Sequence, residues 1–456
     1  MEFTHRSYEL GETIAAIATP PGAGGVAIVR ISGKQALFVA SRIFSGPVQS
    51  YRSHTAHFGA ILNQAGDVID RGLALVMRGP HSYTGEDTVE FHCHGGVLIT
   101  RKVLNAALKA GARAALPGEF TFQAFQNGKI DLTQAEAVQQ VIAARSERAW
   151  QAAENQLEGK LREKITAFQH QLTEIGALFE AWVDFPEEGL EFQSEAEVER
   201  DLTAIAAEMK LLGATFYDGK KLQLGYTLCL LGAPNVGKSS LMNALLNQER
   251  AIVTPIAGTT RDLIAEELSF AGLTFQLVDT AGIRETAEVI EREGIKRTVA
   301  AVKDADLVLL ILDAAKPKTK PPLLELLSPA KTIIIWNKVD LPHDTLPSFS
   351  FPHEVRVSAK QITGLEELKQ QIEMIIWQGN APSKEEVILS SERHFRALTA
   401  ATKAVNQVRL GLKNQLSPEF LAADLRFALT ELGTIIGVNV TEDLLNRIFA
   451  KFCVGK

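Results

Sequence analysis

Cysteine is scarce in this chain. Cys93, Cys229 and Cys453 lie far apart, and three thiols at that spacing make neither a disulfide framework nor a zinc-finger pattern. Long apolar runs are missing as well, so no segment reads as a membrane-spanning helix. Residues 1–6 lack the apolar core of a secretory signal, and a reducing cytoplasmic setting is expected. Nor is there an excess of positive charge. With 47 Lys and Arg against 54 Asp and Glu, the net charge of −7 excludes a uniformly basic nucleic-acid binder while permitting a local basic patch. What remains, 46% hydrophobic and 22% charged residues, is the composition of a globular protein. At 456 residues it is too long for one core, so two to three domains are expected.

Residues 232–239 read Gly-Ala-Pro-Asn-Val-Gly-Lys-Ser, a complete phosphate-binding loop. Gly232 and Gly237 let the backbone wrap phosphate oxygens with its N–H groups inward. Lys238 supplies a point charge for the β- and γ-phosphates, and the Ser239 hydroxyl is a Mg²⁺ ligand. The apolar run 226–231 predicts a buried parallel strand before the loop, and 240–247 predicts a helix after it. A second apolar strand starts at Phe275 and ends in Asp279-Thr280-Ala281-Gly282. There Asp279 is expected to hold Mg²⁺ through water and the Gly282 N–H to meet the γ-phosphate. A third strand, 332–336, delivers Asn337-Lys338-Val339-Asp340. The Asp340 carboxylate accepts two hydrogen bonds from guanine N1 and N2. Adenine offers no such donor pair and would leave the acid desolvated and unpaired, so discrimination of about 10⁴ or more is expected. Ser358-Ala359-Lys360 then places a backbone N–H near guanine O6. The four elements together specify GTP.

Three kinds of sequence surround this region. Residues 1–127 alternate in the β manner and suggest a mixed α/β domain. Residues 128–220 carry Ala, Glu, Gln and Leu at helical spacing, notably over 131–142, with a break at 184–189. Residues 221–380 form the nucleotide domain. Helical periodicity returns over 381–456, with helices expected at 385–408 and 418–432. The simplest architecture is multi-domain: an N-terminal α/β domain, then an all-α domain into which the GTPase is inserted.

In the first domain, 22–27 formally fits a dinucleotide fingerprint. Residues 26–31 alternate like a strand rather than opening a helix, so the reading taken is a turn between two strands. Arg30 is then a cation in an apolar strand, which suggests an anionic partner. Along 88–94, Glu90, His92 and His94 share one face and Val89, Phe91 and Cys93 the other. With no fourth zinc ligand evident, a half-polar strand lining a pocket is favoured over a metal site. Gly95-Gly96 suggests close backbone approach. Phe120, Phe122 and Phe125 are expected in the core, and Lys129 is a candidate anion contact. At the end of the chain Cys453 stands where a prenylation cysteine would, but Gly455 is not aliphatic and Lys456 is not a usual acceptor. Ile448, Phe449 and Phe452 are expected to anchor this end to a core and deliver Cys453 and Lys456 to another domain or subunit.

Ala-Pro-Asn-Val-Gly-Lys-Ser at 233–239, Thr-Pro-Ile-Ala-Gly-Thr-Thr-Arg-Asp at 254–262, Ala-Thr-Pro-Pro-Gly at 18–22 and the terminal Phe-Cys-Val-Gly-Lys, in this order along the whole chain, resemble the MnmE (TrmE) family of tRNA modification GTPases. The one departure is Val454, where the family usually has Ile. The resemblance implies an inserted Ras-like P-loop GTPase domain, an N-terminal folate-binding and dimerisation domain and a cytoplasmic homodimer without membrane attachment. It further implies a flavoprotein partner, MnmG, which carries FAD and completes a heterotetramer. Together these modify carbon 5 of the tRNA wobble uridine with an aminomethyl or carboxymethylaminomethyl group, the one-carbon unit coming from a 5-formyl- or 5,10-methylene-tetrahydrofolate. Carried over by motif, GTP contacts fall on Asn235, Val236, Gly237, Lys238, Ser239 and Ser240, and on Thr254, Pro255, Ile256, Ala257, Gly258, Thr259 and Thr260. Others fall on Asp279, Thr280, Ala281 and Gly282, and on Asn337, Lys338, Asp340, Ser358, Ala359 and Lys360. Mg²⁺ is expected on Ser239 and Thr260, K⁺ on Asn235, Thr254, Ile256 and Thr259, and folate on Arg30, Glu90, Lys129 and Lys456. Ile283 stands where Ras-like proteins place a water-orienting Gln, and the resemblance gives that role to Glu291. Lys238 and Cys453 complete the implied catalytic set. A ribosome-assembly or signalling GTPase would share 221–380 but leaves the signals of the first domain and the terminal Cys-Val-Gly-Lys unexplained. A folate methyltransferase with a decayed GTPase conflicts with the intact Lys238, Asp279 and Asp340.

Overall fold

The computed structural model describes residue 8 and residues 11–184, 194–248, 267–278, 299–318, 321, 323–377, 382–383 and 385–456. The chain forms two compact units. One comprises Met1–Gln139, Gln156–Ala206 and Ala400–Lys456; the other comprises Gln140–Asn155 and Ala207–Thr399. Among the described residues no helix is long and apolar enough to cross a membrane.

The first unit contains six strands: β1 (Ile14–Ile17), β2 (Gly24–Ser32), β3 (Thr55–Leu62), β4 (Val68–Met77), β5 (Thr88–Gly95) and β6 (Arg113–Ala114). Their order in the sheet is β3-β4-β5-β2-β1-β6, antiparallel except for the β1–β6 pair. Residues 18–23 make the expected turn between β1 and β2. Alternation sorts each strand into two faces. Val29 and Ile31 of β2 and Val89, Phe91 and Cys93 of β5 enter a core shared with Val39, Val103, Ala106 and Ala107, which come from helices Ala36–Ser41 and Val97–Lys109. Arg30 and Glu90 therefore emerge on the opposite face, and the register sets them directly across from one another. The backbone approach expected at Gly95 is to the β2 chain: a Cβ there would overlap the Gly24 carbonyl.

Helix Leu132–Ala143 begins where its sequence predicts, because Asp131 caps it: Oδ1 accepts from the N–H groups of Thr133 (2.7 Å) and Gln134 (3.0 Å). Helix Lys160–Asp184 packs on helix Pro418–Ile436, where Gly176 admits the Leu425 side chain; of the break expected at 184–189, residues 185–189 lie outside the described residues. Helix Glu442–Phe449 follows Thr441, whose hydroxyl accepts from Leu444 N–H. Its aromatic end is buried as expected. Phe449 meets Phe122 edge-on at 5.4 Å between centroids and Phe452 at 5.3 Å, with Phe125 and Ile448 packed against the same cluster.

The second unit holds the sheet β12-β11-β10-β7-β9-β8, made of β7 (Tyr226–Leu231), β8 (Glu267–Phe270), β9 (Leu273–Val278), β10 (Leu307–Asp313), β11 (Thr332–Asn337) and β12 (Glu354–Val357). All neighbouring pairs are parallel except β8–β9. The apolar runs of β7, β10 and β11 suit strands covered on both faces. Leu309, Ile311, Ile333 and Ile335 face helices Lys238–Gln248 and Leu365–Trp377, while Val308, Leu310, Ile334 and Trp336 enter the layer on the other side. The helix after the phosphate loop starts at Lys238, two residues earlier than expected. The helix expected at 385–408 is instead Glu392–Lys413. Residues 385–391 are pulled out of helical geometry because Val387 and Leu389 are buried and Leu389 N–H donates to Thr215 Oγ1 at 2.9 Å.

Phe449→Ala should destabilise the first unit by about 3–5 kcal/mol, the usual cost of deleting a buried ring. Denaturant titration with hydrogen exchange across residues 442–449 measures this; a loss below ~1 kcal/mol would show that the aromatic cluster does not anchor the C-terminal helix.

Candidate functional site

In the second unit β7 lies between β9 and β10, so the strand order reverses beside it: β8 and β9 follow on one side and β10, β11 and β12 on the other. Ligands of open α/β sheets bind at such a switch point, beyond the carboxyl ends of the strands. The phosphate loop springs from this end of β7. Gly237 adopts φ +99°, and a Cβ there would collide with the Asn337 amide. Only glycine satisfies both the torsion and the space. The Lys238 ammonium is folded over its own loop, donating to the carbonyls of Gly232 (2.7 Å) and Ala233 (3.0 Å). Ser239 and Ser240 are exposed in the first helical turn, and Val236 is buried. Asn235 is exposed with φ +64°, a left-handed backbone unusual for a residue with a side chain.

Asn337, at the end of β11, joins the strand ends. Only 2% exposed, it donates from Nδ2 to the Val236 carbonyl at 2.9 Å and accepts at Oδ1 from Ala359 N–H at 3.1 Å. A single amide thus holds the phosphate loop and the segment after β12 together. Asp340 is oriented by the buried Ser358 hydroxyl, which donates to Oδ1 at 2.6 Å. Lys338 lies between Asn337 and Asp340 with its Nζ on the Asn235 carbonyl, and Lys360 is exposed at the rim. Asn235, Lys238, Asn337, Asp340 and Ser358 are therefore gathered from three loops. Thr254, Pro255, Ile256, Ala257, Gly258, Thr259, Thr260, Asp279, Thr280, Ala281, Gly282 and Glu291 lie outside the described residues. Sequence reading passed over Asp313, which pairs with Lys338 at 2.7 Å. The signal was available: an acid closing an apolar strand, the same pattern that drew attention to Asp279.

A second cluster occupies the polar face of β2 and β5. Arg30 Nε donates to Glu90 Oε1 at 2.7 Å, and the guanidinium lies 5.6 Å from the Phe120 ring centre and 6.0 Å from that of Tyr83. Its Nη1 reaches the Gly455 carbonyl at 3.4 Å, 425 positions along the chain. The tail is brought there by the Gly118 N–H, which donates to the Cys453 carbonyl at 3.3 Å. It also needs a glycine at 455, where φ is +97° and a Cβ would press on the Ile17 carbonyl. The C-terminal segment is thus delivered to the first domain of its own chain. Burial holds the Lys456 ammonium below the usual lysine range, the Arg30 charge adds to this, and Glu90 and Cys453 oppose it. Burial raises the Tyr83 phenol, which stays neutral while bonded to Thr121 at 2.9 Å. Lys129 does not join Arg30 directly; it donates to the Pro80 carbonyl at 3.0 Å, on the segment that carries Tyr83.

His92 and His94 do not converge on a metal. His94 Nδ1 lies 2.8 Å from Asp70 Oδ1, and His92 turns to Glu90 at 3.5 Å. Among the described residues no group of three or more His, Cys, Asp or Glu side chains could hold a metal ion. Cys93 and Cys229 are buried and Cys453 is exposed. Burial pushes the Cys229 thiol up to about 11, with Lys331 opposing, so it has no thiolate character at neutral pH.

Family models match both the N-terminal and the following part of the chain. Residues 13–129 match the family model of the GTP-binding protein TrmE N-terminus, and residues 132–453 match that of the MnmE helical domain. The tRNA modification GTPase MnmE of Protochlamydia amoebophila is 57% identical over 458 residues, covering 100% of both chains. The protein of the same name from Chlamydia trachomatis serovar L2 is 43% identical over 446 residues, covering 98% of this chain and 99% of its own. That from Chlamydia abortus is 42% identical over 453 residues, with the same coverage. Matched by both family models and by relatives over its full length, the chain belongs to the MnmE (TrmE) family of tRNA modification GTPases.

Proposed function

We propose that this chain is a potassium-activated GTPase that acts, as a homodimer with a flavoprotein of the MnmG type, on carbon 5 of the wobble uridine of tRNA. The one-carbon unit comes from a tetrahydrofolate derivative. The observation that carries the GTPase part is the Asn337 amide, which holds the phosphate-side and base-side loops in one frame. Full-length likeness to proteins named tRNA modification GTPase carries the tRNA part.

In this reading Asp340, aimed by Ser358, accepts from guanine N1 and N2, and the segment 358–360 offers a backbone N–H toward O6. Lys238 leaves the carbonyls it now occupies for the β- and γ-phosphates. Ser239 and Thr260 would hold Mg²⁺, with Asp279 reaching it through water. Asn235, Thr254, Ile256 and Thr259 would hold K⁺. The exposed Asn235, with its left-handed backbone, suits that role. The bound cations would neutralise charge developing on the phosphates, and an arginine-finger-like charge of this kind is a term of about 10³–10⁵ in rate. Glu291 orients the attacking water, a task Ile283 cannot perform.

Arg30, Glu90 and Lys456 are the residues for the folate. Two cations face one carboxylate on a half-buried surface walled by Phe120 and Tyr83, which suits an anionic, ring-bearing ligand. When bound, folate would supply the one-carbon unit; Arg30, Glu90 and Lys456 would hold it at this cluster, and Lys129 would contact it from the Pro80 side. Cys453 is exposed three residues before Lys456, and this reading gives it a role in the same chemistry. The homodimer is supported by an open apolar pair on β3 and β4: Phe58 and Leu73 face each other across the ladder and are 70% and 40% exposed.

GTP turnover should be at least about a hundredfold faster in KCl than in NaCl at equal ionic strength, the low end of what a preorganised transition-state contact contributes; equal rates would remove Asn235 from the chemistry. Asp340→Asn should move preference from GTP to xanthosine triphosphate, and undiminished GTP binding by that variant would refute the guanine assignment. Mass analysis of tRNA from cells lacking the protein should show unmodified wobble uridine, restored by the wild-type gene. Arg30→Ala should fail to restore it while hydrolysing GTP normally. Full restoration by Arg30→Ala would detach the Arg30 cluster from the one-carbon step.

A further inference from the structure

Lys338 is held twice. Its Nζ donates to the Asn235 carbonyl at 2.7 Å and to Asp313 Oδ2 at 2.7 Å. Asp313 closes β10, and its other oxygen accepts from the Ala315 N–H at 3.0 Å. With a side chain only 12% exposed, this carboxylate depends on its partners, because an unpaired buried acid is costly. Lys338 and Asn235 both have left-handed backbones, at φ +65° and +64°. Such conformations persist in residues with side chains only where the surroundings over-determine them. The surroundings here are one another: the acid fixes the ammonium, the ammonium fixes the carbonyl, and the three groups stand at the ends of β10, β11 and β7.

We propose that Asp313 is a positioning residue for GTP hydrolysis. By anchoring Lys338 it pins the Asn235 carbonyl, sets the left-handed turn of the phosphate loop there, and aims the Asn235 side-chain amide. The inference rests on the potassium reading above, since the amide it aims is the one assigned to that ion. Asp313 touches neither nucleotide nor cation; it acts through Lys338.

The test uses the full-length protein, with GTP turnover measured against KCl while NaCl keeps the ionic strength constant, for wild type, Asp313→Ala and Asp313→Asn. Asparagine has one acceptor oxygen. With that oxygen kept on the Ala315 N–H, its NH₂ group faces the Lys338 ammonium, donor against donor. Asp313→Asn therefore keeps the turn and removes the clamp. The KCl concentrations for half-maximal turnover and for half-maximal binding of a fluorescent GDP–aluminium fluoride complex should both rise about tenfold in both variants, the scale of one charge-assisted hydrogen bond, with turnover at saturating KCl close to wild type. An unmoved KCl requirement overturns the proposal, as does a loss of turnover that no KCl concentration restores. Should Asp313→Ala not fold, Asp313→Asn decides alone. A wild-type enzyme indifferent to KCl removes the potassium reading and this inference together; a wild-type enzyme activated by KCl beside unmoved variants removes this inference only.

Discussion

The nucleotide unit depends on a buried amide. Asn337 leaves the sheet at the end of β11 almost without solvent, so both its donor and its acceptor must find partners in the protein. It finds them in the backbone of two different loops, at Val236 and Ala359. That requirement makes the phosphate-binding and base-reading segments one rigid frame before any ligand arrives. Catalysis by positioning and electrostatics needs this kind of preorganisation, since a phosphoryl transfer leaves the protein little covalent chemistry to perform. Gly237 is the counterpart of the same requirement: any larger residue would occupy the space the amide fills.

The first unit solves a different problem with the same physics. Arg30 sits mid-strand in a sheet whose neighbouring positions are core, and a guanidinium there must be paired. Glu90 provides the charge, two rings provide flat walls, and the Gly455 carbonyl provides a further acceptor from the far end of the chain. The aromatic cluster around Phe449 supports the approach of the tail, because a strand edge and a few polar bonds would not hold a seven-residue end against its own entropy. In this arrangement Arg30 and the half-buried Lys456 face one carboxylate.

Much of this was legible in the amino-acid sequence, for reasons that differ by residue. The phosphate loop could be read because its chemistry is local: glycines, a lysine and a serine at fixed offsets between an apolar strand and a helix. The faces of β5 could be read because alternation is a property of the strand alone, so Glu90 had to oppose Phe91. The helix at Leu132–Ala143 could be read from Asp131 onward because capping is also local. The extended course of residues 385–391 could not. Its helical periodicity is overridden by the burial of Val387 and Leu389 and by the hydroxyl of Thr215, 174 positions away in the chain.

Residue identity and spacing by themselves pointed to phosphate binding through a glycine-rich loop and to an acid as guanine reader, and showed an unexplained cation in the strand at 26–31. Only the tertiary structure decided what each of those groups touches. Arg30 meets Gly455, Lys338 meets Asp313, and Asn337 meets Val236 across separations that no periodicity encodes. The physical reason is one of range. Torsional preference, capping and alternation act over a few residues, whereas the pairing of a buried charge or amide is settled by whichever distant group the packed sheet and helices bring within hydrogen-bonding distance.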